Sequence, residues 1–301
     1  MDNMNLLKNC NLCIRNCNID RTAGKIGFCR STDEIVIARA ALHQWEEPCI
    51  SGKNGSGTVF FSNCNFRCVF CQNHEISQEG TGRSVSIERL SEIFLELKSK
   101  GAHNINLVTP THFVPQIIEA IKIARSKGLD LPIVYNTNGY DSIYTIKQLD
   151  GFVDVYLPDF KYFDDKYSTK YSSAPNYKEN VLKIIGEMLK QVGTPQFDDN
   201  GIMLKGVIVR HLMLPGLLFD SKKVIDTLYK NFSDSIFISI MNQYTPLNKA
   251  CNYPEINKTL NPKHYDSLID YALSIGVKNG FIQDEGTSDT NFIPPFNYEG
   301  V

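Results

Sequence analysis

Apolar and polar positions along this chain change period repeatedly, in a regular alternation. Short runs rich in β-branched and aromatic residues, such as Gly57-Thr-Val-Phe-Phe61, Asn104-Ile-Asn-Leu-Val108 and Pro132-Ile-Val-Tyr-Asn136, give way to longer stretches with apolar residues three and four apart. The first kind reads as strands and the second as amphipathic helices. Strands are expected at 57–61, 104–108, 132–136, 151–157, 206–210, 236–240 and 280–283, with one more at 34–43 ahead of the alternation. Helices are expected at 87–100, 114–127, 142–149, 180–191, 221–230 and near 264–275. Repeated strand–helix units imply an α/β fold with a parallel sheet and right-handed crossovers. Residues 45–57, with Gly52, Gly55 and Gly57, read as a turn-rich bridge; His43, Glu46 and Glu47 fit polar groups near a site, but a solvated loop is the simpler reading. Residues 193–201 read as a surface loop.

The carboxyl ends of the expected strands are unusually polar. Val108 leads into Thr109-Pro-Thr-His112, Tyr135 into Asn136-Thr-Asn-Gly139, and Leu157 into Pro158-Asp-Phe-Lys161. Val209 leads into Arg210-His211, and Ile240 into Met241-Asn-Gln-Tyr244. A single polar strand end marks a turn, but active groups of parallel barrels collect at this end of the sheet. Several in register therefore imply one cavity for a polar ligand. Asn138-Gly139 is also a good turn pair, Asp159 and Lys161 also fit an exposed ion pair, and His112 and His211 read as ordinary buried or loop histidines.

The cysteines supply the sharpest signal. Cys64, Cys68 and Cys71 follow the strand at 57–61 in a Cys-x3-Cys-x2-Cys loop. Three thiolates fall one short of a closed tetrahedral zinc site. On an iron–sulfur cube they leave one iron open for a small ligand. Cys10, Cys13, Cys17 and Cys29 form a second set on a poorly periodic segment with little core of its own. Four is the count for a closed site that would hold such a segment folded, and zinc and an auxiliary iron–sulfur cluster both fit. Cys49 and Cys251 read as buried free thiols.

Composition narrows the class. A chain of 301 residues suits one barrel plus an appendage, with a division expected between 1–50 and 51–301. A net charge of −2 offers no basic field for nucleic acid or an anionic membrane. The start lacks a signal-peptide core and no apolar run is of membrane-spanning length, so a cytoplasmic protein is expected. In that compartment nine cysteines point to metal rather than disulfides.

The cluster loop, down to Phe70 before its third cysteine, resembles the signature of the radical SAM superfamily. The resemblance extends over 50–283 through Ser51-Gly-x-x-Gly-Ser-Gly57, Cys64–Asn73, 101–112, 135–140, 153–161 and 209–216, and is nearest to the pyruvate formate-lyase activating enzymes, in a homologue branch with a cysteine-rich amino terminus. It implies a partial (β/α)6 TIM-type barrel carrying a small metal-bound amino-terminal segment. It implies that Cys64, Cys68 and Cys71 ligate a 4Fe–4S cluster whose open iron binds S-adenosylmethionine. An electron from a donor such as flavodoxin or ferredoxin then yields a 5′-deoxyadenosyl radical that abstracts hydrogen from a substrate. Gln72, Asn73, Thr109, Thr111, Asn136, Asn138, Asp159, Lys161, Arg210 and Gln243 become the cofactor-binding candidates. The activating enzymes carry Gly-Gly-Glu where this chain reads Val108-Thr-Pro-Thr-His112, so Thr109 or Thr111 hydroxyls or nearby carbonyls would substitute. Activases with extra clusters carry their cysteines after the cluster loop, whereas Cys10–Cys29 precede it. The activity implied is that of a glycyl-radical activase. A maturase or metabolic enzyme acting on a peptide or small molecule, and a zinc-binding interaction protein, are the alternatives.

Overall fold

The computed structural model describes residues 3–283 and 294–301. After a 3-10 turn at Asn3–Leu7 come β1 (Ile35–His43), α1 (Pro48–Ser51), β2 (Ser56–Phe61), α2 (His74–Ser77), β3 (Arg83–Val85), α3 (Ile87–Ser99), β4 (Ile105–Val108) and α4 (Val114–Ser126). Next are β5 (Ile133–Thr137), α5 (Ile143–Gln148), β6 (Val155–Pro158), α6 (Asp165–Ser172), α7 (Tyr177–Val192), β7 (Gln196–Phe197) and β8 (Met203–Leu212). The last elements are α8 (Leu218–Phe232), β9 (Phe237–Met241), α9 (Pro262–Ser274) and β10 (Gly280–Ile282).

The strands form one sheet in the order β10-β9-β8-β6-β5-β4-β2-β1-β3, with β7 appended to β8. From β2 to β10 every neighbouring pair on this path is parallel, and β1 turns antiparallel onto β2. The two ends of the path, β10 and β3, do not pair with each other, as in a partial barrel. The expected parallel α/β architecture is therefore present. The loop expected at 193–201 contains the exposed two-residue strand β7.

Local chemistry explains the helices. Ser86 caps α3 by accepting the Arg89 N–H, and Leu90, Ile93, Phe94 and Leu97 fall on one buried face. Ser142 caps α5 and Asp164 caps α6 in the same way. Of these, α3 buries its apolar stripe against β1, β2 and β4, whereas α5 and α6 pack on α7.

A second, smaller core fills part of the sheet between strands. Val134, Val155, Leu157, Met203 and Ile208 meet Cys49 and Ile50 of α1 there. The Asn104 amide holds the Ile50 carbonyl at 2.7 Å. The stretch 46–51 is thus a plug rather than a solvated bridge, because Pro48 starts a helical turn that buries Cys49, Ile50 and Ser51. At the carboxyl terminus the chain returns to β1. Ala40 N–H donates to the Glu299 carbonyl at 2.8 Å, and Arg39 pairs with the Glu299 carboxylate at 2.7 Å.

Candidate active site

At the carboxyl ends of the strands lies an open cavity of ≈ 260 Å³. The cluster loop forms one wall. Asn63, at φ +73°, turns the chain out of β2. Arg67 and Val69 N–H groups then bond the Ser172 and Tyr171 carbonyls at 3.0 and 2.9 Å, which anchors the loop on α6. Phe70 packs edge-on against Tyr244 with centroids 5.5 Å apart.

The cavity brings Cys64, Cys68 and Cys71 together, and each sulfur has a polar partner. Cys64 Sγ accepts from Phe66 N–H at 3.3 Å and from the Asn138 amide at 3.4 Å. Cys68 Sγ lies 3.1 Å from Ser172 Oγ, itself 2.9 Å from Tyr162 Oη, and Cys71 Sγ lies 3.2 Å from Ser77 Oγ. Burial pushes the Cys64 thiol up to about 11 and Cys68 up to about 12. Metal must therefore displace protons before these sulfurs carry charge. Donors aimed at all three suit the thiolates of a cluster, whose potential such hydrogen bonds help to set.

Gln72, Asn73, Thr109, Asn136, Asn138, Asp159, Lys161, Arg210 and Gln243 all line this cavity. Thr111 does not: it is buried at the edge of a separate hole bordered by the amino-terminal cysteines. The reason is local, since the chain enters a 3-10 turn at Thr111–Phe113 and carries this residue away from the strand end. Thr109, at the cavity rim, holds φ +57°, a left-handed conformation that costs a β-branched residue about 1–3 kcal/mol. Gly139 has no such cost at φ +78°, and a Cβ there would sit 2.6 Å from the Asp159 carbonyl.

Asp159 and Lys161 pair at 2.8 Å with side chains only 22% and 16% exposed, so the exposed-pair reading falls. Burial alone would depress Lys161, but the charge and hydrogen bond of Asp159 together with the neighbouring Cys68 and Cys71 hold the ammonium above its ordinary range. Deeper in, the Arg210 guanidinium bonds Glu47 at 2.8 Å and also Glu46, whose other oxygen accepts from Asn106 at 2.8 Å. Burial opposes ionisation here too, yet Arg210 keeps Glu47 below the usual carboxylate range, and the two carboxylates hold Arg210 well above its own. Glu46, Trp45 and His43 line the cavity; their sequence context read as a solvated loop because nothing local reports Arg210 more than 160 residues away. Cys49 is buried as expected, whereas Cys251 is exposed because it ends a surface 3-10 turn.

His112 and His211 are buried, as one of the two expected readings has it. His211 Nδ1–H donates to the Phe160 carbonyl at 2.8 Å, and burial pushes its pKa down to about 4. An unfolded histidine titrates near 6.5, so below that pH the unfolded chain takes a proton that the native ring refuses. This contribution to stability is complete above pH 6.5 and is lost as pH falls toward 4, by about 3 kcal/mol. Denaturant midpoints at pH 7 and pH 5 should fall apart in the wild type and draw closer in His211→Gln. An unchanged gap would show that this ring does not carry the acid sensitivity.

Residues 58–228 match the Radical SAM superfamily. The chain belongs to that superfamily. Its chemistry is therefore cleavage of S-adenosylmethionine through an iron–sulfur cluster, which sets aside the zinc-binding interaction alternative. The chain is 30% identical over 280 residues to the uncharacterized protein MJ0674 of Methanocaldococcus jannaschii, covering 89% of this chain and 75% of that protein. Its fold is similar to that of Streptococcus suis SuiB. The structure bound to S-adenosylmethionine gives a TM-score of 0.53 at 14% identity, over 74% of this chain and 49% of that one. The complex with the precursor peptide SuiA gives 0.52 at 14% identity, over 74% and 47%. The chain thus spans about half the length of these solved structures. No helix among the described residues is long and apolar enough to cross a membrane.

Proposed function

We propose that the cavity is the active site of a radical SAM enzyme in which Cys64, Cys68 and Cys71 hold the 4Fe–4S cluster. The observation that carries this is the convergence of the three sulfurs on one cavity, each faced by a hydrogen-bond donor. When bound, cluster and cofactor supply a 5′-deoxyadenosyl radical that removes hydrogen from a substrate. The chain's own residues do the rest. Ser172, Ser77 and Asn138 stabilise the thiolates, with Tyr162 donating to Ser172 so that the serine hydroxyl points at Cys68. Lys161 adds a cation beside Cys68 and Cys71, and Asp159 holds that cation in place. Asn136, Asn138, Thr109 and Gln243 offer amide and hydroxyl groups to a nucleoside and an amino acid, and Gln72 is fixed by its bond to the Gln243 carbonyl at 3.0 Å.

The finer reading is activation of a glycyl-radical partner protein, supported by the activating-enzyme pattern of the cluster loop and of Asp159-x-Lys161. The amino-terminal segment is proposed to hold a second metal site at Cys10, Cys13, Cys17 and Cys29, a one-electron donor protein to supply the electron, and the cytoplasm to be the place of action. The division into 1–50 and 51–301 is kept as a functional one, metal-bound appendage and barrel, although β1 and α1 are woven into the barrel sheet.

Anaerobic purification followed by iron and sulfide analysis, then dithionite and S-adenosylmethionine, tests the central claim. Wild type should form 5′-deoxyadenosine. Cys64→Ala/Cys68→Ala/Cys71→Ala should lose about four irons and all of that product. A triple variant that retains its iron and still cleaves the cofactor would refute the assignment of these ligands. Incubation with a candidate partner, read as a glycyl-radical signal, tests the finer reading.

A further inference from the structure

One wall of the active-site cavity comes from parts of the chain outside the matched residues 58–228. His43 ends β1, Trp45 and Glu46 lead into α1, and Pro294 belongs to the carboxyl-terminal return. The His43 ring stands edge-on to Phe60 with centroids 5.8 Å apart, and Phe60 in turn meets Phe296 at 5.6 Å. Backbone bonds fix this wall: Ala40 N–H donates to the Glu299 carbonyl at 2.8 Å and Tyr298 N–H to the Ala38 carbonyl at 3.2 Å. Trp45, the single tryptophan of the chain, lines the cavity with 60% of its surface exposed. A ring left open beside a cavity is surface that an occupant can cover.

Glu46 is the acid of this wall, and its carboxylate reaches across the concave face of the sheet. It accepts from Asn106 on β4 at 2.8 Å and from Arg210 on β8, strands that β5 and β6 separate. A carboxylate offers about four acceptor positions, so these two bonds leave others open. The charges do not balance. Arg210 serves Glu47 as well as Glu46, and Lys161 is already matched by Asp159. Among the described residues, the cavity floor therefore carries one carboxylate in excess. It is also short of donors. The Asn106 side-chain oxygen is buried, in a residue 0% exposed, and has no partner. Turning that amide would not help, because it would set the oxygen against the Glu46 carboxylate.

These features select the charge of an occupant. A carboxylate in excess, with open acceptor positions and an aromatic ring on the same wall, suits a cation that brings its own N–H donors. An anion would meet the excess carboxylate in a setting where like charges repel more strongly than in water. His43 adds no competing charge at neutral pH, since burial holds its pKa below the ordinary value.

We infer that this wall is the substrate side of the active site, and that the substrate is recognised through an alkylammonium group taken up at Glu46 beside Trp45. This rests on the reading of the cavity as the active site and names the chemistry of what enters it. Glu46 acts here as a specificity-determining residue.

The experiment uses the full chain, purified and reconstituted without oxygen and kept without reductant, so that nothing is consumed. n-Butylammonium, 1-butanol and butyrate are titrated separately, with and without saturating S-adenosylmethionine. Binding is read through the fluorescence of Trp45, with no second tryptophan to obscure it. Wild type should bind butylammonium about tenfold more tightly than butanol, the worth of one hydrogen bond to a charged group, with butyrate weakest. Saturating S-adenosylmethionine should leave this preference in place. Glu46→Gln, which keeps the side chain's shape and leaves Arg210 paired with Glu47, should bind butylammonium and butanol alike. A parallel titration with acetyl-Gly-Lys-Gly-amide distinguishes a lysine side chain from a free amine; tighter binding of either one supports the inference and names the carrier.

Equal binding of butylammonium and butanol by wild type would overturn the inference. So would tighter binding of butyrate, displacement of butylammonium by S-adenosylmethionine, or a cation preference that survives Glu46→Gln. All but the last are read on wild type, so a variant that fails to fold does not shield the inference. A failure of the active-site reading looks different, namely iron that survives loss of Cys64, Cys68 and Cys71 with no cofactor cleavage.

Discussion

Arg210→Leu is expected to destabilise the protein by about 3–5 kcal/mol, the usual loss when one member of a buried ion-pair set is removed. Glu46 and Glu47 would then remain as two carboxylates, with side chains 7% and 5% exposed and no cation between them. At neutral pH they would have to protonate or drag water into the plug formed by α1, so the loss should ease in mild acid. For a chain of this length the melting midpoint should drop by about 5–8 °C. Arg210→Leu/Glu46→Gln/Glu47→Gln should recover a large part of it, because replacing a whole buried ion set with neutral groups costs far less than breaking it. Thermal denaturation of wild type, single and triple variants decides the matter. A single variant as stable as wild type would mean that the three charges are hydrated in solution. Lys would not replace Arg210 well, since one guanidinium face serves both carboxylates.

That network also marks where sequence reading stops. Cys64, Cys68 and Cys71 are legible because their spacing is local and their loop follows a strand. The strand ends at Asn136, Asp159 and Arg210 are legible because parallel sheets bring carboxyl ends to one side. Ser172 is not legible: its hydroxyl meets Cys68 from 104 residues away. It also sits on α6, Asp-Lys-Tyr-Ser-Thr-Lys-Tyr-Ser, a helix with no aliphatic stripe to announce it. The burial of Glu46 is hidden for the same reason. Charged residues near glycines look like a loop, and only the tertiary fold supplies the Arg210 that makes burial tolerable. Thr111 failed on geometry, since a polar residue two places beyond a strand end points into the cavity only if the chain stays extended. Here Thr109 adopts a left-handed turn before Pro110 and the direction changes.

Arg21→Leu should release the amino-terminal segment while leaving the barrel folded. Arg21 is fully buried and its donors satisfy three backbone carbonyls, those of Ser31 at 3.1 Å, Thr32 at 3.0 Å and His112 at 2.6 Å. The first two hold the return of the segment toward β1, and the third ties it to the turn after β4. Leucine restores apolar volume but leaves those carbonyls buried without donors, at about 1–3 kcal/mol each. The summed penalty exceeds what the small core of Leu7, Cys10 and Leu12 can offset. The sheet core shares no side chain with that cluster, so the loss should be local. Limited proteolysis should therefore cut within residues 1–34 far faster than in wild type, while the remainder resists and retains about four irons at the barrel site. Arg21→Lys should fall between the two, since one ammonium cannot reach all three carbonyls as the guanidinium fork does. Equal cutting rates in all three proteins would show that the segment's other contacts, and not Arg21, hold it against the barrel.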